Sequence, residues 1–144
     1  MGFNGVQKIT YVMLFLWSAW LHASSIPYTV LFTGEDGNSY FKNGELPLNL
    51  DKNGGMYSPI AVENVVFGKS PIEQQKWHNT PRKMFIIVLS GVMQIQTSGG
   101  EIKDFEAGTV LLANDVTGKG HLTRALHEEP VNYLAVPLIS ETKS

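Results

Sequence analysis

The sequence predicts an all-β domain, a jelly-roll barrel, preceded by a short N-terminal signal segment. Three observations predict it. Short runs of β-branched, aromatic and aliphatic residues recur, separated by turn residues at close spacing. No stretch after residue 26 combines helical periodicity with caps. Residues 84–113 read as strand, turn, strand, turn, strand and strand again.

Length and composition agree. A chain of 144 residues, 43% hydrophobic and 17% charged, suits one globular domain able to bury a core. A net charge of -2 offers no basic footprint, so nucleic acid is not an expected partner. There is no cysteine, which removes disulfides, a thiolate nucleophile and cysteine-based zinc sites.

The elements follow in order. Residues 1–25 read as a signal peptide and 26–144 as the barrel domain. Lys8 precedes the apolar run 9–23, and Ala23, Ser24 and Ser25 are small residues suited to a cleavage site. The expectation is export, periplasmic or extracellular, with membrane contact only through this segment before cleavage. A retained anchor is the alternative, although the run is short against the roughly 20 apolar residues a spanning helix needs. Trp17, Trp20 and Leu16 leave no clean polar face for an amphipathic helix.

Residues 28–32 form a first strand of β-branched and aromatic residues, and the turn at residues 34–37 leads to a second strand starting near Ser39. Pro47, Asn53, Gly54 and Gly55 punctuate a loop-rich stretch. Residues 61–67 and 72–77 are expected as strands. Residues 84–89 are almost continuously apolar, as in a strand covered on both faces. Residues 92–97 alternate, with Met93 and Ile95 on one side and Gln94 and Gln96 on the other. Ser98, Gly99 and Gly100 make a tight hairpin turn. Residues 109–113 and 131–136 complete the set.

Two polar runs interrupt this pattern, Trp77-His78-Asn79-Thr80-Pro81-Arg82 and Thr117-Gly118-Lys119-Gly120-His121. With the framework glycines Gly91 and Gly108, they resemble the two motifs of the small single-domain cupins. The match spans about residues 56–138 and is similar to the group carrying W-H-N-x-P-R and T-G-K-G-H runs. His78 takes the first histidine position and Gly91 closes the first motif. Thr80 stands at the second histidine and Met84 at the glutamate. In the second motif Gly108 fits, Asn114 replaces the proline, His121 arrives about two residues late, and Ala125 stands at the usual asparagine. The resemblance implies a cupin barrel in which His78 and His121 converge from facing strands. It also implies that two of the four usual metal ligands are gone. Small cupins commonly pair through edge strands, so a homodimer is expected, with the strand 28–32 covering or exchanging across an edge.

His78 and His121 are therefore the candidate catalytic residues and the candidate ligands for a divalent transition metal ion. Imidazole suits such ions, but stable sites usually hold three protein ligands or more. Without a metal, the pair would serve as hydrogen-bonding and acid/base groups. Asn79, Thr80, Arg82, Met84, Asp115 and Thr117 are candidate ligand-binding residues. Arg82 offers a planar fork for an anion, or a surface salt bridge. Met84 makes the pocket less charged than a glutamate would. Trp77 reads as a core or dimer contact. His127, beside Glu128 and Glu129, reads as a solvated loop residue. The Gly-Lys-Gly run lacks the rest of a nucleotide loop, and there is no G-x-S-x-G element. The resulting expectation is a protein that binds a small anionic or oxygenated molecule. A metal-dependent isomerase or oxygenase, and a structural dimer module, are the alternatives.

Overall fold

The computed structural model describes residues 25–73 and 75–139. They are all β, with no helix among them. The strands are β1 (Ser25–Thr33), β2 (Ser39–Pro47), β3 (Asn49–Leu50), β4 (Met56–Tyr57), β5 (Val66–Lys69), β6 (Met84–Ser90), β7 (Met93–Thr97), β8 (Ile102–Phe105), β9 (Val110–Asn114), β10 (His121–Ala125) and β11 (Asn132–Pro137). Six form one sheet in the order β2-β1-β9-β6-β11-β5, three form a second in the order β10-β7-β8, and β3 pairs with β4. The pairs are antiparallel except β1 with β9.

The two larger sheets face each other, an arrangement compatible with a jelly roll. Period-two alternation sends Leu31, Val88 and Leu111 inward from one sheet and Met93, Ile95 and Phe105 inward from the other, and all are buried together. Phe41 meets Phe105 edge-on across this core, with ring centroids 5.8 Å apart. The hairpin after β7 forms as its Ser-Gly-Gly sequence predicts. The Gly100 amide donates to the Thr97 carbonyl, and Gly100 takes a positive φ of 95°.

The outer face of the six-stranded sheet is also apolar. The register sets Phe67, Leu134, Ile87 and Val110 in one row, and Val136, Phe85, Leu112 and Val30 in the next. This is why 84–89 reads as an unbroken apolar run.

Three expectations need correction. The described residues of 72–77 are in no strand, and Ile72 and Trp77 are exposed. Of 61–67, only Val66 and Phe67 join a strand, while Val62 makes an isolated bridge to Leu138. The strand 28–32 lies inside its sheet, paired with β2 on one side and β9 on the other. Finally, β10 is a strand where the sequence showed only a histidine after a loop. The signal segment lies outside the described residues, apart from Ser25 at the start of β1. No helix among the described residues is long and apolar enough to cross a membrane.

Candidate functional site

His78 and His121 meet as an antiparallel β-bridge. The His78 amide donates to the His121 carbonyl at 3.0 Å, and the His121 amide donates back at 2.9 Å. Residues paired in this way project their side chains to the same face. The ring centroids lie 4.4 Å apart with the planes tilted by 56°. Gly120 permits the bridge. Its φ is +70°, and a Cβ there would overlap the His78 carbonyl oxygen.

Each imidazole is held by Nδ1. In His78, Nδ1 lies 2.8 Å from the Lys76 carbonyl oxygen, which can only accept, so Nδ1 carries the proton. In His121, Nδ1 lies 2.6 Å from Asp115 Oδ2. Asp115 is 0% exposed, and its other oxygen accepts from the Thr80 hydroxyl at 2.5 Å. Both carboxylate oxygens are thus engaged, and His121 is held as the Nδ1–H tautomer. In the neutral form of each ring, that places the lone pair on Nε2. Among the described residues no buried side-chain nitrogen or oxygen lacks a partner. Nε2 of the buried His121 makes no hydrogen bond there, so it opens onto accessible space.

That space is a cavity of about 310 Å³ between the sheets. Met84, Ile86, Met93, Ile95, Leu111 and Ala135 supply apolar wall, and His78, Thr80, His121, Thr123, Gln75 and Ser70 supply polar groups. Among the described residues, no Lys, Arg, Asp or Glu lines it.

The other candidates fall in different places. Met84 and Thr80 line the cavity with the histidines, although Thr80 spends its hydroxyl on Asp115. Asp115 lies behind His121 and not on the wall. Asn79 donates from Nδ2 to the Asp115 carbonyl at 3.0 Å and to the Thr117 carbonyl at 2.7 Å, pinning the loop that leads to β10. Thr117 contributes its carbonyl to that pin and is itself exposed. Arg82 is ion-paired with Glu63 on the surface, off the cavity wall. His127 is outside the cavity too, at a positive φ of 60°. The sequence reading missed Thr123, Tyr133, Gln75 and Ser70 as wall residues. Thr123 was recoverable, since it lies two positions along the strand from His121. Nothing local marks Gln75 or Ser70.

For a divalent metal ion the donor set is short. The two Nε2 atoms are available, Asp115 is fully used, and the described residues hold no group of three His, Cys, Asp or Glu side chains able to share an ion.

Fold and site together define a two-sheet β protein whose apolar cavity carries a pair of oriented imidazoles. No protein-family model matches the chain, and no curated protein does. Two solved structures resemble it distantly. One is the conserved protein SPY1581 of unknown function from Streptococcus pyogenes, at 15% identity and a TM-score of 0.40, over 66% of this chain and 96% of that one. The other is a candidate ethanolamine utilization protein Q from Salmonella typhimurium, at 14% identity and a TM-score of 0.43, over 80% of this chain and 97% of that one. At these values nothing carries over from either protein to this chain.

Proposed function

We propose that this chain is an exported cupin-type barrel that binds a small oxygenated molecule in its cavity. The carrying observation is the imidazole pair. Both rings are anchored through Nδ1, by Lys76 and Asp115, and each leaves Nε2 free to accept a hydrogen bond. The cavity, at about 310 Å³, has the size and mostly apolar lining of small-molecule sites. A purely structural barrel would have no use for that space. The lack of a lining Lys or Arg favours a neutral, hydroxyl-bearing ligand over an anion, because a buried anion needs a charge partner. Export is supported by the order of Lys8, apolar run and small residues.

A second reading is catalytic. The Asp115–His121 pair is the arrangement that orients an imidazole as a general base, and His78 stands beside it as a second acid/base group.

Native mass spectrometry of protein recovered from the exported fraction tests the binding reading. The expected result is a mature chain starting near Ser24 or Ile26 with a retained small molecule. His78→Ala and His121→Ala should lose that molecule with the circular dichroism spectrum unchanged, and His127→Ala should keep it. Equal retention in all three variants would sink the proposal.

A further inference from the structure

We infer that a second groove, between strands β2 and β8, is a docking site for an extended peptide, which enters as an added strand and brings a carboxylate to Lys103 and a cation to Glu45. The groove holds about 530 Å³ and shares no wall residue with the histidine cavity, so the inference is independent of the proposed function.

The two sheets are open to each other along this line. At one end β2 is stitched to the β7–β8 hairpin. The Gly99 amide donates to the Ser39 carbonyl, and the Phe41 amide donates to Glu101 Oε2 at 2.8 Å. Beyond that stitch the strands line the groove without pairing, since β2 and β8 are edge strands of their sheets. Their free backbone groups follow from alternation. Ser39 and Phe41 turn theirs away from β1, so Asn43 and Glu45 do the same. On β8, the Glu101 carbonyl accepts from the Thr97 amide across the hairpin, which sets Ile102 and Asp104 on the free edge. A strand laid between them can pair with both edges, the mode of β-strand addition. The side chains choose the strand. Phe41 and Phe105 pack on the core, so Asn43, Glu45 and Lys103 face the groove. Lys103 Nζ turns inward, donating to the buried Thr29 hydroxyl at 2.8 Å and lying 5.8 Å from the Phe105 ring centroid. Among the described residues neither Lys103 nor Glu45 is in an ion pair. An inward charge beside a free edge turns apolar strands away, because pairing would bury it unbalanced. A strand that supplies a carboxylate removes that penalty. Lys103 lies two residues past the stitch and Glu45 four, so they meet successive inward positions of the added strand. Both edges run away from the stitch, and antiparallel pairing is the more stable, so the peptide runs Lys-x-Glu towards it.

The test is an NMR titration of the purified protein with the acetylated, amidated pentapeptide Thr-Lys-Val-Glu-Thr. The expected result is saturable binding that slows hydrogen exchange at the Asn43, Glu45, Ile102 and Asp104 amides. Lys103→Gln should weaken binding at least about tenfold, the scale of one lost charge-assisted hydrogen bond, and Lys103→Arg should keep it. A peptide with Gln in place of Glu removes the same charge without touching the protein, and should lose as much. The same peptide N-methylated at Lys and Val keeps both charges, blocks pairing on both edges and should not bind. No binding of the first peptide overturns the inference. So does equal binding of the methylated peptide, of the Gln peptide or of the reversed Thr-Glu-Val-Lys-Thr. Slow exchange at these four amides before any peptide is added overturns it as well. Protection lost on dilution then marks a second copy in the groove, and protection kept on dilution marks a segment of the same chain.

Discussion

Thr80 shows how one position can change its work without leaving the site. It stands where the resembled motif has a histidine, yet it does not face the cavity as a ligand. Its hydroxyl holds Asp115 Oδ1, and Asp115 Oδ2 holds His121. Thr80→Val keeps the shape and removes the donor. A fully buried carboxylate oxygen is then left unpaired, which costs about 1–3 kcal/mol. Urea unfolding should show that loss, and Thr80→Ser should recover most of it. Far from the cavity, Asp36 and Tyr40 form the clearest titrating pair. The Tyr40 hydroxyl donates to Asp36 at 2.7 Å and, with the Asn38 amide, holds the Asp36 carboxyl below its ordinary value of 3.8. The same bond raises Tyr40 above its ordinary 10.0. A lowered Asp contributes stability above its unfolded pKa and loses it as pH falls through the folded one. The raised Tyr contributes below 10.0 and loses it as pH rises through its folded value. Tyr40→Phe should move the Asp36 carboxyl back up in an NMR titration. No movement would mean that the bond does not persist in solution.

Among the elements, the central strands were legible and the site strand was not. The apolar run gave β6, the alternation gave β7, and the Ser-Gly-Gly turn fixed their link to β8, because each signal comes from burial or backbone freedom within a few residues. The strand β10 sends His121, Thr123 and Ala125 inward. None of these is a large apolar residue that would mark a core strand, since only Ala125 packs into the core while His121 and Thr123 face the cavity. Conversely Ile72 and Trp77 looked like strand residues, but among the described residues the segment touches β10 only at Gln75 and His78 and forms no continuous ladder. Arg82 was readable only as a charge, since its partner Glu63 is 19 residues away. What brings His121 to His78 is Gly120, whose positive φ lets the backbones close. Gly120→Ala should strain that turn and force the His78 carbonyl away. The expected cost exceeds about 1 kcal/mol, the scale at which alanine in an incompatible conformation destabilises. Lower thermal stability and faster amide exchange at His78 and His121 would report it. Unchanged exchange would show that the bridge does not depend on this glycine.

At the scale of the whole molecule, the six-stranded sheet is apolar on both faces, but only the inner face is covered by a second sheet. Sheets with two apolar faces are normally covered on both. On the outer face, the rows led by Phe67 and Val136 run across four strands with no charged residue in them, and although Leu112 and Val30 are already buried, the Phe67 end of the face is open. Phe67 is 79% exposed on β5, an edge strand of that sheet. Burying this much apolar surface is favourable at about 25 cal/mol per Å². We propose a second copy of the chain as the cover. A twofold axis sets the same rows against each other, so the apolar rows match themselves, with Lys42 and Lys69 of the same face at their margins. This proposal sets the homodimer expected from the sequence on the β5 side of the sheet. Light scattering at micromolar concentration should report a dimer. Phe67→Lys should shift it to monomer while leaving the inner cavity and its imidazole pair intact, because Phe67 points away from both. A wild-type chain that stays monomeric would refute the interface, and a Phe67→Lys chain that stays dimeric would place it elsewhere.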